Sequence, residues 1–158
     1  MYLIIDSREK PRAIRGIIDY FDRHKIPYET SKLLFGDYID YSKPQLSVDR
    51  KQNIAELAKN CTSDHKRFRR ELERVKGTGS KLVLLVEQKT YISGDKKIEV
   101  KSIEDLILWE AKHGVIRGEQ VYRVLVSWTA KYPLEIEFCD KRSTGKRIIE
   151  ILGGDVSG

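Results

Sequence analysis

Residues 81–87, KLVLLVE, form the most hydrophobic segment of the chain and constrain its fold more than any other stretch. An apolar run of this length, without alternating polar positions, is typical of a strand that is buried on both faces. Such a strand needs helices on each side of its sheet. Strand and helix patterns alternate along the rest of the chain. We therefore expect one α/β domain over residues 1–158, a three-layer sandwich with a mixed central β-sheet flanked by helices.

The other elements follow from periodicity and from start and stop signals. Apolar residues recur at helical spacing between Ile14 and Phe21, and the segment from Ser102 to Asp105 resembles a capping box. The predicted strands are 2–6, 27–34, a short strand after Gly36, 46–51, 81–87 and 134–139, with a hairpin at 89–100. The predicted helices are 12–24, 53–60, 64–76, 103–113, 119–132 and a short helix before Gly153, beyond which we expect a frayed tail.

The charge of the chain favours a polyanionic partner. Its 30 Lys and Arg residues outnumber 24 Asp and Glu residues, which gives a net charge of +6 and a pI of about 9.2. A basic excess of this kind is typical of nucleic-acid binding. The alternative is an ordinary basic protein without a nucleic-acid role, which would show no salt-dependent affinity for DNA.

Targeting signals and cysteine usage predict an intracellular protein. No apolar run reaches the ~20 residues of a membrane span, and the N-terminal MYLIIDSREK has no basic region and too short an apolar run for a signal peptide. Cys61 and Cys139 are far apart, which predicts free thiols in a reducing compartment. We expect the cytoplasm or nucleoid of a prokaryote or phage, or a eukaryotic nucleus, and no membrane partner.

Acidic side chains recur near strand ends within residues 33–51, LLFGDYIDYSKPQLSVDRK. Side chains alternate along a strand, so Asp49 and Lys51 share a face, and Asp37 lies on the partner strand after Gly36. Asp6 ends a neighbouring strand. Two carboxylates beside an ammonium can hold a hard divalent cation and direct water at a phosphodiester. We predict Mg²⁺ or Mn²⁺ at Asp37 and Asp49, with Asp6 completing the site or binding a second ion.

Cations around these carboxylates have more than one predicted role. Lys51 orients the attacking water or stabilises charge on the phosphate. Arg8, beside Asp6, reaches the scissile phosphate. Arg50 points to the opposite strand face, where an ion pair with Asp6 or Glu9 and a direct phosphate contact are equally expected.

The predicted helix 64–76 carries an excess of basic side chains over its core positions. Because arginine grips phosphate oxygens bidentately, we predict contacts with the nucleic-acid backbone. A mixed-sign, solvated helix surface is the alternative. The predicted contacts are Lys66, Arg67, Arg70 and Arg74.

The sequence lacks the motifs of a zinc site, a serine hydrolase and a phosphate-binding loop. His24, His65 and His113 show no zinc-binding spacing, and no G-x-S-x-G elbow is present. The segment from Gly77 to Lys81 lacks phosphate-loop spacing and precedes a strand, so we interpret it as a helix stop and turn.

Three short motifs, in order, resemble the nuclease domain of the XPF family of structure-specific endonucleases, within the PD-(D/E)XK nuclease superfamily. The first motif, Asp6-Ser-Arg8-Glu9, matches the family's D-x-R-E pattern, and the second, Gly36-Asp37-Tyr38, matches its G-D-Y pattern. The third, Val48-Asp49-Arg50-Lys51, is similar to its V-E-R-K pattern. Arg67-Phe68 and LVLLVE at 82–87 are similar to two further family segments. The likeness is close over residues 1–87 and looser over 118–153, and we expect 88–117 to be a family-variable insertion.

The resemblance implies a restriction-endonuclease-like fold and Mg²⁺-dependent hydrolysis of phosphodiester bonds in branched, flap or fork DNA. Such cleavage serves DNA repair, recombination or replication, and Mn²⁺ is expected to substitute for Mg²⁺. Arg67 is expected near the substrate. The catalytic residues carried over by the resemblance are Asp6, Arg8, Asp37, Asp49, Arg50 and Lys51.

The sequence departs from the family pattern at three points. Asp49 replaces a glutamate but keeps a carboxylate, and Ala55 stands where the family has Asp, with Glu56 one position away. The family's tandem helix-hairpin-helix module has no counterpart here. Either a partner supplies further grip on DNA, or the chain is a stand-alone minimal nuclease. Because the nuclease domains of the family dimerise, the resemblance also implies a homodimer. The alternative function is a catalytically silent DNA-binding or scaffolding module on the same fold.

Overall fold

A computed structural model describes residues 1–154 of the chain and contains a mixed six-stranded sheet. A separate two-stranded hairpin, β6 and β7, follows the fifth strand. The predicted α/β class and mixed central sheet are confirmed. The strands are β1 Leu3–Asp6, β2 Tyr28–Ser31, β3 Tyr38–Asp40, β4 Lys43–Lys51, β5 Lys81–Val86, β6 Thr90–Ser93, β7 Lys96–Glu99 and β8 Leu134–Phe138.

The central sheet has the order β2-β1-β3-β4-β5-β8. The short strand β3 is antiparallel to both of its neighbours, whereas β2 with β1, β4 with β5, and β5 with β8 are parallel. This order places the end of β1, the start of β3 and the end of β4 at one edge of the sheet. The acidic residues of the three motifs are therefore brought to the same edge.

Helices cover the sheet on both faces and complete the predicted three layers. Helices α1 and α5 pack with one hydrophobic cluster, which contains Leu3, Tyr38 and Leu85 from the sheet. Helices α2, α3 and α4 pack with the other, which contains Leu82 and Leu84. The α-helices are α1 Arg15–Arg23, α2 Ile54–Cys61, α3 His65–Gly77, α4 Gly118–Lys131 and α5 Thr144–Ile151.

Strand β5 occupies the sheet interior between β4 and β8, as its composition predicts. Leu82, Leu84 and Val86 face the cluster of α2, α3 and α4, while Leu85 faces the cluster of α1 and α5. All four side chains are fully buried. A strand buried on both faces has no polar positions to alternate, which explains its continuous apolar run.

The predicted helix 103–113 is wrong, since only a 3₁₀ turn, Ile103–Leu106, forms there. The chain then doubles back, with hydrogen bonds from Ala111 N to Ile116 O at 3.0 Å and from Gly118 N to Trp109 O. A Cβ on Gly118 would lie 1.7 Å from the Leu106 carbonyl oxygen. The backbone packs against Gly118 at the start of α4, so it cannot continue as a helix.

Three further predictions concern the thiols, the membrane and the tail. Cys61 and Cys139 are buried free thiols, and burial raises their pKa values to about 12 and about 11. Within residues 1–154, no helix is both long enough and apolar enough to cross a membrane. The predicted frayed tail falls mostly on residues 155–158, which lie outside the described residues.

Candidate active site

Gly36 fixes the position of Asp37 at the edge of the sheet. Its backbone is left-handed, with φ of +72°, and a Cβ at this residue would lie 1.9 Å from Ser47 Oγ. Asp37 N then donates to Val48 O at 2.8 Å, and Asp37 O accepts from Asp6 N at 2.7 Å. Only glycine permits this close approach.

Asp37 and Asp49 line the same cleft at the edge of the sheet, and the charge of Asp49 acts on Asp37. Asp37 Oδ2 accepts a hydrogen bond from Arg50 N at 2.8 Å. Burial, followed by the charges of Asp49 and Glu9, raises the pKa of Asp37 well above its ordinary value. The folded chain therefore holds two anionic groups together at an energetic cost that a bound cation would relieve.

Lys51 supplies the ammonium beside these carboxylates. Its Nζ lies 3.4 Å from Asp49 Oδ1 and 5.2 Å from the centroid of the Phe68 ring. Burial alone would lower the pKa of Lys51, but the charges of Asp49 and Glu56 outweigh burial and raise it. Lys51 therefore stays protonated at neutral pH, a state suited to stabilising negative charge.

Asp6 holds Arg8 at the mouth of the site. Asp6 Oδ2 accepts from Arg8 Nε at 2.7 Å, and Asp6 Oδ1 accepts from Leu33 N at 3.0 Å. The Asp6 side chain is buried, whereas 62% of the Arg8 side chain is exposed. Both carboxylate oxygens of Asp6 thus accept hydrogen bonds from the protein, and its predicted role as a metal ligand stays a prediction.

Arg50 lies on the opposite strand face, within a buried network of charges. Its Nε donates to Glu9 Oε1 at 2.8 Å and its Nη1 to Glu87 Oε1 at 2.6 Å. Tyr38 Oη donates to Glu9 Oε1 at 3.0 Å, and Thr144 Oγ1 donates to Glu87 Oε2 at 2.7 Å. Of the two ion-pair partners expected for Arg50, the structure shows Glu9 and adds Glu87. This network anchors the backbone whose amide holds Asp37.

Helix α3 presents one of its predicted DNA contacts to the site. Arg67 lines the cleft, and its Nε donates to Asp64 Oδ1 at 2.8 Å. Helical spacing places Arg70 and Arg74 on the same helix face as Arg67, and both are exposed. Lys66 is also exposed, about 100° round the helix from Arg67.

Two glutamates join the site without having been predicted there. Glu56 and Glu71 both line the cleft, which has a volume of about 220 Å³. Gly36 N donates to Glu71 Oε1 at 3.4 Å, and burial followed by the charge of Asp49 raises the pKa of Glu71. Glu71 lies one helical turn after Arg67, and this i, i+4 spacing was the only sequence signal for its location.

The donor set fits a magnesium ion held partly by water. Among residues 1–154, no three His, Cys, Asp or Glu side chains are grouped so that they alone could hold a metal ion. Mg²⁺ usually binds to one or two carboxylates and keeps several waters or substrate phosphate oxygens. Asp37 and Asp49 supply two carboxylates, which is the number that such a magnesium site usually has.

The chain has a layered α/β fold with an acidic, lysine-bearing edge of its central sheet. The chain belongs to the ERCC4 domain family, whose model matches residues 5–152, and it is a nuclease domain of the XPF family. A comparison with curated protein sequences found no match.

Two solved structures share this fold. The chain is similar to XPF from Aeropyrum pernix at 15% identity and a TM-score of 0.66, covering 96% of this chain and 63% of that one. It is also similar to XPF from Aeropyrum pernix in complex with DNA at 15% identity and a TM-score of 0.61, with coverage of 96% and 62%. The chain thus spans less than two thirds of the length of these proteins.

Proposed function

We propose that this protein is a Mg²⁺-dependent, structure-specific DNA endonuclease that hydrolyses phosphodiester bonds in branched, flap or fork DNA, with Mn²⁺ as a substitute ion. The single observation that supports it is the adjacent Asp37 and Asp49 carboxylates, with Lys51 Nζ 3.4 Å from Asp49. Membership of a structure-specific DNA nuclease family supports the reaction class. Cleavage of this kind serves DNA repair, recombination or replication.

Each proposed role follows from local contacts. Asp37 and Asp49 hold the ion, which supplies an activated water and neutralises phosphate charge when bound. Lys51, kept protonated by Asp49, stabilises the charge that develops on the phosphate. Arg8 projects from Asp6 with most of its side chain exposed and grips a neighbouring phosphate.

Arg50 acts in this proposal as a positioning residue. Its guanidinium is paired with Glu9 and Glu87. Its backbone amide holds one oxygen of Asp37. The buried ion pairs therefore fix the backbone from which the Asp37 carboxylate is oriented.

DNA contacts outside the cleft come from α3, at Arg67, Arg70, Arg74 and Lys66. We further propose that a homodimer or a partner protein provides additional grip, because the positive surface of a single small domain offers few phosphate contacts. The solved Aeropyrum pernix XPF in complex with DNA supports DNA as the ligand of this fold.

A cleavage panel tests the proposal. Labelled fork, flap, Holliday and single-stranded DNA substrates are incubated with Mg²⁺, with Mn²⁺ or with EDTA. We expect metal-dependent nicking of at least one branched substrate. Asp37→Ala and Asp49→Ala abolish nicking and retain DNA binding in fluorescence anisotropy, while Asp95→Ala, on the exposed turn of the β6–β7 hairpin, keeps both activities.

Two results would contradict the proposal. Wild-type protein that cuts none of these substrates with either ion is not an endonuclease of this class. Failure to bind Mn²⁺ at Asp37 and Asp49 in a metal titration, with DNA binding intact, would support the silent DNA-binding or scaffolding module instead.

A further inference from the structure

A shallow channel leads away from the candidate active site across one face of the sheet. It consists of three depressions in series, and successive depressions share lining residues. Arg8, which also lines the active cleft, begins the first one with Lys32 and Leu34. Leu34 continues into the second, and Ile39 and Pro44 continue from the second into the third. We call this surface the sheet channel.

The channel exists because the helices on this face cover only part of the sheet. Helices α2, α3 and α4 pack with core residues of β5 and β8, including Leu82 and Leu134. Residues of β1 and β3 that belong to a helix-covered cluster, such as Leu3 and Tyr38, face α1 and α5 instead. Ile4 and Ile39 pair across β1 and β3 and line the channel on the other face.

The walls of the channel present apolar and aromatic groups to solvent. Leu34 is 67% exposed and Tyr41 is 71% exposed. The Tyr2 ring packs edge-on against Tyr41, with centroids 6.5 Å apart. The depressions have volumes of about 310, 310 and 520 Å³. Leu34 and Tyr41 are therefore available for contact with a ligand.

The charges along the channel favour an anionic strand that enters from the active cleft. Arg8 and Lys32 lie at the cleft end and are both exposed. Glu29 lines the far end, where it would repel a phosphate. Proteins that bind single-stranded nucleic acid combine cations for the backbone with aromatic and apolar surfaces for the bases. In the sheet channel the cations Arg8 and Lys32 and the apolar Leu34 lie at the cleft end, and the aromatic ring of Tyr41 lies in the third depression.

We propose that the sheet channel binds the unpaired DNA strand of a branched substrate, next to the scissile phosphate. Bases pack on Leu34 and reach Tyr41, while phosphates face Arg8 and Lys32. This inference rests on the proposed endonuclease function and adds to it the recognition of a single-stranded arm. Selection of a junction over plain duplex then follows from a second site beside the metal site.

The first experiment measures kcat/KM on forks whose unpaired arm varies from one to ten nucleotides. We expect wild-type kcat/KM to rise with arm length. Replacing both side chains, Leu34→Ser with Tyr41→Ser, lowers kcat/KM about tenfold on the long arm, in keeping with the loss of base packing, and leaves the one-nucleotide arm unchanged. Ile92→Ser is the matched control, since Ile92 is 68% exposed on the separate β6–β7 hairpin.

The second experiment does not depend on cleavage. An oligonucleotide containing 5-iodouracil is photocrosslinked to the protein in EDTA, and the crosslinked peptides are mapped by mass spectrometry. We expect adducts at Tyr41 that disappear when a competing unlabelled oligonucleotide is added. This result would support the sheet channel even if no substrate were cut, so the two proposals can fail separately.

Three outcomes would overturn the channel proposal. If the wild-type kcat/KM does not depend on arm length, the channel does not contribute to recognition of the unpaired strand. Crosslinks that map away from the channel place the strand elsewhere. A change of oligomeric state in Leu34→Ser, measured by sedimentation, would make this surface an interface between copies of the chain.

Discussion

The backbone amide of Arg50 donates to Asp37 Oδ2 at 2.8 Å, while the side chain of the same arginine is buried between Glu9 and Glu87. One residue thus connects the acidic edge of the sheet to the charged network on the opposite face of β4. The orientation of Asp37 thus depends on the ion pairs of Arg50 with Glu9 and Glu87. This link couples the stability of the network to the geometry of the site.

Arg50→Ala should destabilise the protein by about 3–5 kcal/mol, because it leaves the Glu9 and Glu87 carboxylates buried without their partner. The Arg50 side chain is only 8% exposed. Urea denaturation gives the free energy of unfolding. Arg123→Ala is the matched control, since its ion pair with Glu119 is exposed and its loss should cost no more than about 1 kcal/mol. Equal losses in the two variants would contradict this prediction.

Gly36→Ala should destabilise the protein more than Gly79→Ala does. Both glycines are left-handed, with φ of +72° and +67°, so each substitution costs about 1–2 kcal/mol in the backbone. Only at Gly36 does a Cβ clash with Ser47, whereas at Gly79 it meets open space. We expect about 1–3 kcal/mol of further loss at Gly36, measured by the same denaturation. A similar loss at both positions would show that Ser47 moves aside at little cost.

Asp37→Asn should stabilise the metal-free protein at neutral pH. The folded-state pKa of Asp37 lies above the ordinary 3.8, so the unfolding free energy of the wild type falls as pH rises from 3.8 through the raised pKa. The unfolding free energy of the variant does not decline in this way, so the difference in stability between the variant and the wild type disappears in acid. Denaturation in EDTA from pH 3 to pH 8 measures it, with Asp95→Asn as the control. A wild type that remains as stable as the variant across this range would contradict the raised pKa.

Replacing Arg70 and Arg74 together with Gln should weaken DNA binding and its dependence on salt. Each lost phosphate contact should reduce the slope of log K against log salt by about one. Anisotropy titrations at several salt concentrations measure the slope. Arg69→Gln is the control, because helical spacing places Arg69 on another face of α3. If Arg69→Gln changes the slope as much as the double variant does, α3 contributes only general positive charge.

The central sheet and the acidic edge could be predicted because their signals are local. The apolar run of β5 predicts a strand that is buried on both faces. The alternation of side chains along β4 predicts that Asp49 and Lys51 share one face and that Arg50 lies on the other. Once Gly36 places Asp37 on the adjacent strand, the pairing of β3 with β4 brings the carboxylates together. These conclusions require only strand periodicity and strand order.

The remaining features depend on contacts between distant residues. Glu71 reaches the cleft because α3 packs against β5, and Thr144 reaches Glu87 from 57 residues away. A capping motif after Lys101 indicates where a helix begins, but it carries no information about Gly118, whose contact with Leu106 ends the turn. Local sequence cannot predict such contacts, since each depends on how separate elements pack.

The hydrogen bond from Thr144 to Glu87 has a consequence during synthesis. Until the ribosome has added Thr144 and the helix it begins, Glu87 and Arg50 lack the last donor and the cover that α5 provides. A half-made chain would carry the acidic motifs without a fixed arrangement of them. The dependence on a late helix thus delays assembly of the acidic site until α5 has been made.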